Sequence, residues 1–441
     1  MQRLCLILTV FISFQPVLAK NKLIRGPYLQ AATDDSITIR WRTEDPSPTF
    51  VKYKAYGDKD NKQYQDLVQT TEHQAKLIGL KPQTKYFYTL YSQEKKDQIL
   101  LGEDRLKSFF FNTKPDRDKT DYTSYVWVLG DPGTNGTKKY DYSDKKSQLK
   151  VRDAFYDYHA AQKLPAPSLI LTLGDNAYPY ASDEDLQRAI FEPYQEILSY
   201  VPIFPVFGNH DAGYNKKHKT YTARSYPQPH GSYFDTFSFP ETGKAYYSFN
   251  DAQVHFIVLD SYDSYWEDLK ADRSNLGKAW TSKSTAQNSM IEWLKQDLAI
   301  NKNADWTIVA YHHPAYATND DDINEGVWQD WMKTNIVPLL EKHKVDLVLN
   351  GHVHNYQRSY QLADFKVVSK NKDKYQKGLG TIYTILGCSG QSYKEADTSE
   401  LIYQAFAKEG SILLKINPKE LDLKFISIDG TILDKFKIVK N

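Results

Sequence analysis

Five short polar clusters, each at or just past a strand-like hydrophobic run, constrain the fold of this chain more than any other feature. The first two follow the runs at residues 125–129 and 169–173, and each begins with Gly-Asp. Helical segments separate the runs, and strands that alternate with helices predict a layered α/β domain. In such domains ligands gather at the carboxyl ends of the strands. The clusters occupy residues 130–133, 174–178, 208–211, 309–314 and 351–354.

These clusters carry carboxylate, amide, phenol and imidazole groups. A single Gly-Asp after a strand is most often a turn, and a single histidine is most often a structural residue. Five such clusters in one domain instead offer the oxygen and imidazole ligands that bind zinc and other transition metals. The sequence therefore predicts a metal centre.

The charge balance limits the choice of partner. Lys and Arg number 56 against 55 Asp and Glu, so the net charge is +1 over 441 residues, and no long basic run occurs. Nucleic-acid-binding surfaces usually show a basic excess, so the sequence argues against a nucleic-acid partner. A small anionic substrate remains compatible, because a local site can be positive inside a neutral protein.

The first part of the chain has an all-β pattern. The runs at residues 37–42 and 86–91 alternate apolar and polar side chains, and short strands with regular turn signals predict a sandwich. Residues 25–30 and 73–86 resemble the fibronectin type III-like module that precedes secreted phosphatases. We expect this domain at residues 20–116 and a catalytic domain at residues 117–441, joined by a charged linker.

The N-terminus predicts export. Arg3 precedes an apolar stretch at residues 4–14, and Val17-Leu18-Ala19 has small residues suited to signal-peptidase cleavage. We expect residues 1–19 to be removed and the protein to be periplasmic or extracellular. No later run approaches the ~20 apolar residues of a membrane span, so no span is predicted. Cys388 is then the one remaining cysteine, and an internal disulfide is excluded.

The order of the five clusters resembles that of the purple acid phosphatases, within the calcineurin-like metallophosphoesterase superfamily. Residues 246–249, 256–262 and 426–434 also resemble this family, so the resemblance covers nearly the whole mature chain. It implies a fold of two parts: an all-β sandwich N-terminal domain, and an α/β layered metallophosphoesterase domain in which a β-sandwich is flanked by helices.

The resemblance implies a site for two metal ions. The first ion is expected on Asp131, Asp175, Tyr178 and His354. The second is expected on Asn209, His312 and His352, with Asp175 as the bridge. The wider superfamily has Asp-x-His in the first cluster, whereas this chain has Asp131-Pro132-Gly133, and Tyr178 takes the place of the missing histidine.

Charge and ligand hardness distinguish the two sites. Asp131, Asp175 and a Tyr178 phenolate present three anionic oxygens, which favour a hard trivalent ion. We therefore expect iron(III) in the Tyr178 site. An amide and two imidazoles favour a divalent ion in the second site, either zinc, manganese or iron(II).

Four residues are candidates for substrate binding or catalysis. His210 follows a ligand directly, and its counterpart in the family contacts the substrate phosphate, so we expect phosphate contact or proton donation. Asn209 is expected to contact substrate as well as metal. His313 is a candidate at the catalytic centre, with a hydrogen bond to the ligand shell as its expected role. Arg358 could form a charge-assisted bond to phosphate or to a carboxylate.

The loop after Pro314 departs from the family, because the further histidines found there in many purple acid phosphatases are absent. The proton donor to the leaving group therefore remains open: it is His210 alone, Glu325 or an Asp of residues 320–322. Alternatively, the leaving group departs with little need for protonation.

These features predict an exported acid phosphatase that hydrolyses a small phosphate monoester by attack of a metal-bound hydroxide. An acidic to neutral pH optimum is expected. A metal-dependent phosphodiesterase or nucleotidase on the same scaffold is the alternative. A non-catalytic surface-binding protein is a further alternative, disfavoured because every expected type of ligand is present.

Overall fold

The computed structural model describes residues 21–91, 109–119, 121–135, 147–213, 222–224, 228–240, 243–262, 285–318, 329–391 and 395–440. The predicted signal peptide at residues 1–19 lies outside these ranges. So do the acidic residues 320–322 and Glu325.

The N-terminal domain is a five-stranded sheet in which a long second strand is central. On β4, buried Tyr86, Tyr88 and Leu90 alternate with more exposed neighbours, as a half-buried strand requires. The second strand pairs with β1 along its first half and with β4 along its second, and β3 pairs with it on the other side. The prediction of an all-β N-terminal domain is confirmed. Its strands are β1 (Leu23–Gln30), β2 (Ile37–Ala55), β3 (Lys62–Leu77), β4 (Lys85–Tyr91) and β5 (Phe109–Asn112).

The remaining described strands belong to the second domain. In chain order they are β6 (Ser124–Leu129), β7 (Leu169–Thr172), β8 (Ile203–Phe204), β9 (Ala223–Arg224), β10 (His230–Gly231), β11 (Tyr247–Asp251), β12 (Val254–Val258), β13 (Trp306–Tyr311), β14 (Leu347–Asn350), β15 (Tyr356–Ser359), β16 (Gln361–Ala363), β17 (Lys366–Ser369), β18 (Lys374–Gln376), β19 (Ile382–Leu386), β20 (Ile402–Phe406), β21 (Gly410–Ile416), β22 (Glu420–Ser427) and β23 (Ile432–Val439).

Two seven-stranded sheets form the centre of this domain. The first has the order β18-β23-β22-β21-β6-β7-β8, and the second has the order β11-β12-β13-β14-β19-β15-β20. Strands β6, β7 and β8 are parallel neighbours, as are β12, β13, β14 and β19. Parallel neighbours bring their carboxyl ends, and the loops that follow, to one edge of each sheet.

Helices cover the outer faces of both sheets. In the described ranges the helices are α1 (Ser147–Ala161), α2 (Asp183–Leu186), α3 (Gln195–Leu198), α4 (Asn209–Ala212), α5 (Ser232–Thr236), α6 (Thr285–Ile300) and α7 (Val337–Lys342), with π-helical turns at Gln187–Phe191 and Met332–Ile336. Within the described ranges, no helix has the length and apolarity needed to cross a membrane.

Alternate residues of the central strands face opposite layers. Val126 of the first sheet and Ile308 of the second share the core between the sheets. The next residue on the first sheet, Trp127, faces outward and stacks on Phe155 of α1 at 4.1 Å. Val309 likewise packs in the outer core that includes helix residues of α6 and α7. The structure thus confirms the predicted β-sandwich flanked by helices.

Candidate metal centre

The loops at the carboxyl ends of parallel strands from both sheets carry the seven predicted ligands. The first sheet contributes the loops after β6, β7 and β8, and the second contributes those after β13 and β14. All seven lie in these loops or in the one turn of α4, and the structure brings them together: Asp131, Asp175, Tyr178, Asn209, His312, His352 and His354.

The first donor group consists of three oxygens and one nitrogen. The Tyr178 hydroxyl lies 3.0 Å from Asp175 Oδ2, 3.3 Å from Asp131 Oδ2 and 3.1 Å from His354 Nε2. His354 Nε2 lies 3.3 Å from Asp131 Oδ2. These separations place four ligand atoms around one point.

The second donor group consists of an amide oxygen and two imidazole nitrogens. Asn209 Oδ1 lies 3.0 Å from His312 Nε2 and 3.1 Å from His352 Nδ1, and the two nitrogens are 3.3 Å apart. The carboxylate of Asp175 lies between the groups: Oδ2 faces Tyr178, while Oδ1 is 3.4 Å from His312 Nε2. One carboxylate therefore borders both groups.

Three of these residues have left-handed backbone conformations. The φ angles are 53° at Asp131, 50° at Asp175 and 71° at His352. Side chains other than glycine rarely adopt this region, and such strain is concentrated at functional sites. The backbone at Gly351 also lies very close to a ligand side chain. A Cβ at this position would lie 2.4 Å from Asp131 Oδ1, so a glycine is required.

Hydrogen bonds behind the ligands set their orientation. His312 Nδ1 is 2.8 Å from the Leu173 carbonyl, so Nδ1 carries the proton and Nε2 is left as the ligand atom. The backbone N–H of His352 donates to Asp131 Oδ1 at 2.9 Å. The loop after β7 thus orients the His312 side chain, and the loop after β14 orients the Asp131 side chain.

The electrostatics of the site favour a bound cation. Burial raises the pKa of Asp131 to about 7, and the negative charge of Asp175 adds to this shift. Burial also lowers the pKa of His312, which keeps a ligand nitrogen unprotonated. Buried carboxylates this close together are unfavourable without a positive charge between them. Oxygen donors together with imidazole donors, of which His312 is held neutral, fit transition-metal ions.

His210 lies at the edge of the first donor group. Its backbone N–H donates to Asp175 Oδ1 at 2.8 Å, and its ring centroid is 4.4 Å from that of Tyr178. The Nδ1 atom is 2.8 Å from the Pro179 carbonyl and donates to it, and Nε2 is 4.0 Å from Asp175 Oδ2. The side chain is 25% exposed, so a substrate can reach it.

His313 lies beside the second donor group, with a ring nitrogen within 4.8 Å of a ring nitrogen of both His312 and His352. Its ring centroid is 4.3 Å from that of His352, and its Nδ1 is 2.9 Å from Ser261 Oγ. The same hydroxyl accepts the backbone N–H of His313 at 3.0 Å. Burial lowers the pKa of His313 well below its usual value, so the ring is neutral beside the ligands.

The structure corrects the assignment of Arg358 to substrate binding. Its side chain is buried and forms a two-pronged ion pair with Asp434, from Nε to Oδ2 at 2.6 Å and from Nη2 to Oδ1 at 2.8 Å. Because β15 belongs to the second sheet and β23 to the first, this pair joins the two sheets. Of the two bonds considered for Arg358, the one to a carboxylate is formed.

Two further residues support the ligand loops, although the sequence suggested no role for them. Asp211 accepts hydrogen bonds from the backbone N–H groups of Gly208 and Asn176, and from the Asn176 side-chain amide. This ties the Asp175 loop to the Asn209 loop. Burial raises the pKa of Asp211 well above its usual value. Asp211 and Asn176 both lie inside the ligand clusters of the sequence, and this position is the signal that could have identified them.

Comparison with known proteins agrees with this arrangement. The profile described as "Calcineurin-like phosphoesterase" matches residues 124–356, which include every residue of the two donor groups. The chain belongs to the calcineurin-like phosphoesterase family. The profile described as "Purple acid Phosphatase, N-terminal domain" matches residues 26–104, so this family member carries the N-terminal domain of the purple acid phosphatases.

Individual relatives of this calcineurin-like phosphoesterase are distant. "Purple acid phosphatase 15" of Arabidopsis thaliana is 27% identical over 353 residues, 74% of this chain and 54% of the relative. "Phosphoenolpyruvate phosphatase" of Allium cepa is 25% identical, covering 82% of this chain and 66% of the relative. The chain thus spans between half and two thirds of these two relatives. "Acid phosphatase type 7" of Danio rerio is 23% identical, covering 92% of this chain and 88% of the relative.

A solved structure shares the fold over almost the whole chain. The purple acid phosphatase isolated from yellow lupin (Lupinus luteus) seeds superposes with a TM-score of 0.71 at 19% identity. The superposition covers 96% of this chain and 74% of the lupin chain. The two-domain architecture is therefore that of a purple acid phosphatase.

Proposed function

We propose that this protein is an exported acid phosphatase that uses two metal ions to hydrolyse phosphate monoesters. The observation that carries the proposal is the pair of donor groups on either side of the Asp175 carboxylate, with Oδ2 3.0 Å from the Tyr178 hydroxyl and Oδ1 3.4 Å from His312 Nε2. Relatives named as acid phosphatases support the choice of substrate.

The two groups differ in charge, and this supports two different ions. Asp131, Asp175, Tyr178 and His354 would hold iron(III), because the set includes three oxygens that can be anionic. Asn209, His312 and His352, together with Asp175, would hold zinc, manganese or iron(II), because the added donors are neutral. When bound, such a pair of ions would supply a hydroxide nucleophile and neutralise the charge of the phosphoryl group.

The residues beside the ligands would handle the substrate. His210 donates through Nδ1 to the Pro179 carbonyl, so Nε2 is the ring nitrogen that would contact a phosphate oxygen or the leaving group. We assign His210 the tasks of holding the phosphate and, when protonated, of giving a proton to the leaving oxygen. Asn209, in the same turn of α4, would hold the metal ion and contact the substrate. His313, held by Ser261, keeps the His352 ring in place.

A substrate panel tests the proposal. The purified chain is assayed with phosphate monoesters, phosphodiesters and nucleotides from pH 4 to 9. Asp175→Asn serves as the inactive variant, and Asp153→Asn serves as a control because Asp153 is exposed and pairs only locally with Arg152. We expect monoesterase activity with an acidic to neutral optimum, lost in Asp175→Asn and kept in the control.

The other outcomes are distinct. Preference for diesters or nucleotides identifies the alternative phosphodiesterase or nucleotidase. A strictly alkaline optimum contradicts the acid phosphatase assignment. A protein that binds two ions but hydrolyses none of the panel is a binding protein on a catalytic scaffold. Export is tested separately by N-terminal sequencing of the protein recovered outside the cytoplasm, with Lys20 expected as the first residue.

A further inference from the structure

The N-terminal domain and the Tyr178 loop contact the same short segment, residues 183–191, which we call the clamp segment. It comprises α2 and the π-helical turn that follows. One face of this segment binds arginines of the N-terminal domain, while the other binds the loops of the first donor group.

On the metal side, one guanidinium joins two ligand loops. Arg188 Nη2 donates to the Tyr178 carbonyl at 2.8 Å, and Nη1 donates to the Asn135 carbonyl. The Asn135 amide donates back to the Arg188 carbonyl at 3.0 Å. Asp185 Oδ1, 2.7 Å from Nη2, fixes the guanidinium. Because Asn135 is four residues beyond Asp131, Arg188 links the Asp131 loop to the Tyr178 loop.

On the other side, two arginines of the N-terminal domain converge on Asp183. Arg42 forms a two-pronged pair with its carboxylate at 2.6 and 2.7 Å. Arg25 lies 2.9 Å from Asp183 Oδ1, donates to the Asp183 carbonyl at 3.1 Å and donates to Gln187 Oε1 at 2.6 Å.

The Arg25 side chain requires these bonds because it is buried. Its side chain is fully buried and lies 4.7 Å from the centre of the Phe191 ring. A buried guanidinium needs its hydrogen-bond partners, since leaving a charge unpaired in the interior is strongly unfavourable. If the clamp segment moved away from the N-terminal domain, the Arg25 guanidinium would therefore be exposed to solvent or left without its hydrogen-bond partners.

We propose that the N-terminal domain is a working part of the metal centre: its docking on the clamp segment positions Tyr178 through Arg188 and thereby sets the metal affinity of the first donor group. The proposal rests on the proposed metal centre. Arg188 and Arg25 are positioning residues, because Arg188 acts through the Tyr178 and Asn135 carbonyls and Arg25 acts through the clamp segment. Domain docking alone would explain the bonds to Asp183, but it would not require the continuation from Arg188 to the Tyr178 and Asn135 carbonyls.

Metal titration of three variants tests this. Arg188→Met removes the guanidinium but keeps most of the stem, and we expect metal binding at the first group to weaken by about 10–100-fold, as when partners of metal ligands are removed. Arg25→Met should weaken it in the same direction by a smaller factor. Arg152→Met is the control: Arg152 is 24% exposed against 22% for Arg188, and it donates to the Pro193 carbonyl instead of a ligand loop.

Hydrogen exchange followed by mass spectrometry provides a readout that needs no metal. The Tyr178 amide donates to the Gly133 carbonyl at 2.9 Å and the Ala181 amide to the Ala177 carbonyl at 3.0 Å. We expect faster exchange in the peptide that contains these amides in Arg188→Met and Arg25→Met, and unchanged exchange in Arg152→Met.

The outcomes separate this inference from the proposed function. If the wild-type protein binds no metal, the proposed function fails, and the exchange data alone decide whether the N-terminal domain positions the Tyr178 loop. If Arg25→Met changes neither the metal affinity nor the exchange of that peptide, the inference is overturned even when the wild-type protein binds two ions.

Discussion

The buried pair of Arg358 and Asp434 gives a prediction whose size follows from the structure. Asp434→Ala removes both carboxylate oxygens from a guanidinium that is 1% exposed. The arginine lies 4.7 Å from the ring centres of both Tyr403 and Phe436, so it has no route to water without repacking. The Tyr356 hydroxyl, 2.7 Å from Asp434 Oδ2, loses its acceptor as well.

Breaking a buried ion pair by removing one partner costs about 3–5 kcal/mol. We therefore expect Asp434→Ala to lower the free energy of unfolding of the catalytic domain by about this amount, a factor of roughly 10² to 4 × 10³ in the unfolding equilibrium. Urea unfolding followed by tryptophan fluorescence measures it. Glu292→Ala is the control, because Glu292 is 63% exposed in its pair with Lys295 and such pairs contribute about 1 kcal/mol or less.

A double variant distinguishes a structural role from a role in substrate binding. Arg358→Met with Asp434→Leu removes both charges and should recover most of the lost stability, because hydrophobic replacement of a buried pair is often neutral. Its KM for a phosphate monoester should match that of the wild type. If Arg358→Met alone leaves stability unchanged but raises KM, the structural role is refuted and the substrate role is restored.

Three further outcomes are expected. Tyr178→Phe should keep the fold but lose the visible phenolate-to-iron(III) absorption, and a colourless wild type that is active with only divalent ions would contradict the iron assignment. His210→Gln should lower kcat/KM by about 10²-fold or more, with the larger loss for poor leaving groups, and an unchanged rate would exclude both of its roles. Burial lowers the pKa of His73 from 6.5 to about 4, so the unfolded chain takes up a proton that the folded chain does not. The N-terminal domain should therefore lose about 3 kcal/mol as the pH falls through this window; urea midpoints equal at pH 7 and pH 4 would contradict this.

The strands and the polar clusters at their ends could be predicted from local sequence patterns, whereas the residues of the two donor groups were implied by the resemblance to the purple acid phosphatases. Hydrophobic runs such as residues 125–129 specify the buried strands, and polar residues directly after them must lie at the strand ends. Asp175 and His312 are brought together in this way, since each lies in the loop that follows a parallel strand, β7 or β13, at the carboxyl edge of its sheet.

Interactions that depend on distant partners could not be predicted. Arg358 is four residues beyond His354 of the last ligand cluster, which suggested a place at the site, but its side chain is paired with Asp434 on a strand of the other sheet. Nothing near either residue in the sequence indicates this pairing. The same holds for Arg25 and Asp183, whose contact joins the two domains across 158 residues of chain.

Metal analysis of the wild type and of Asp175→Asn tests the central claim most directly, because Asp175 is the residue that borders both donor groups. We predict two metal ions per wild-type chain, and in Asp175→Asn a weakened affinity for both ions, not for one alone. A wild type that holds a single ion, or an Asp175→Asn variant that loses only one of two ions while binding the other with unchanged affinity, would contradict the shared-carboxylate centre.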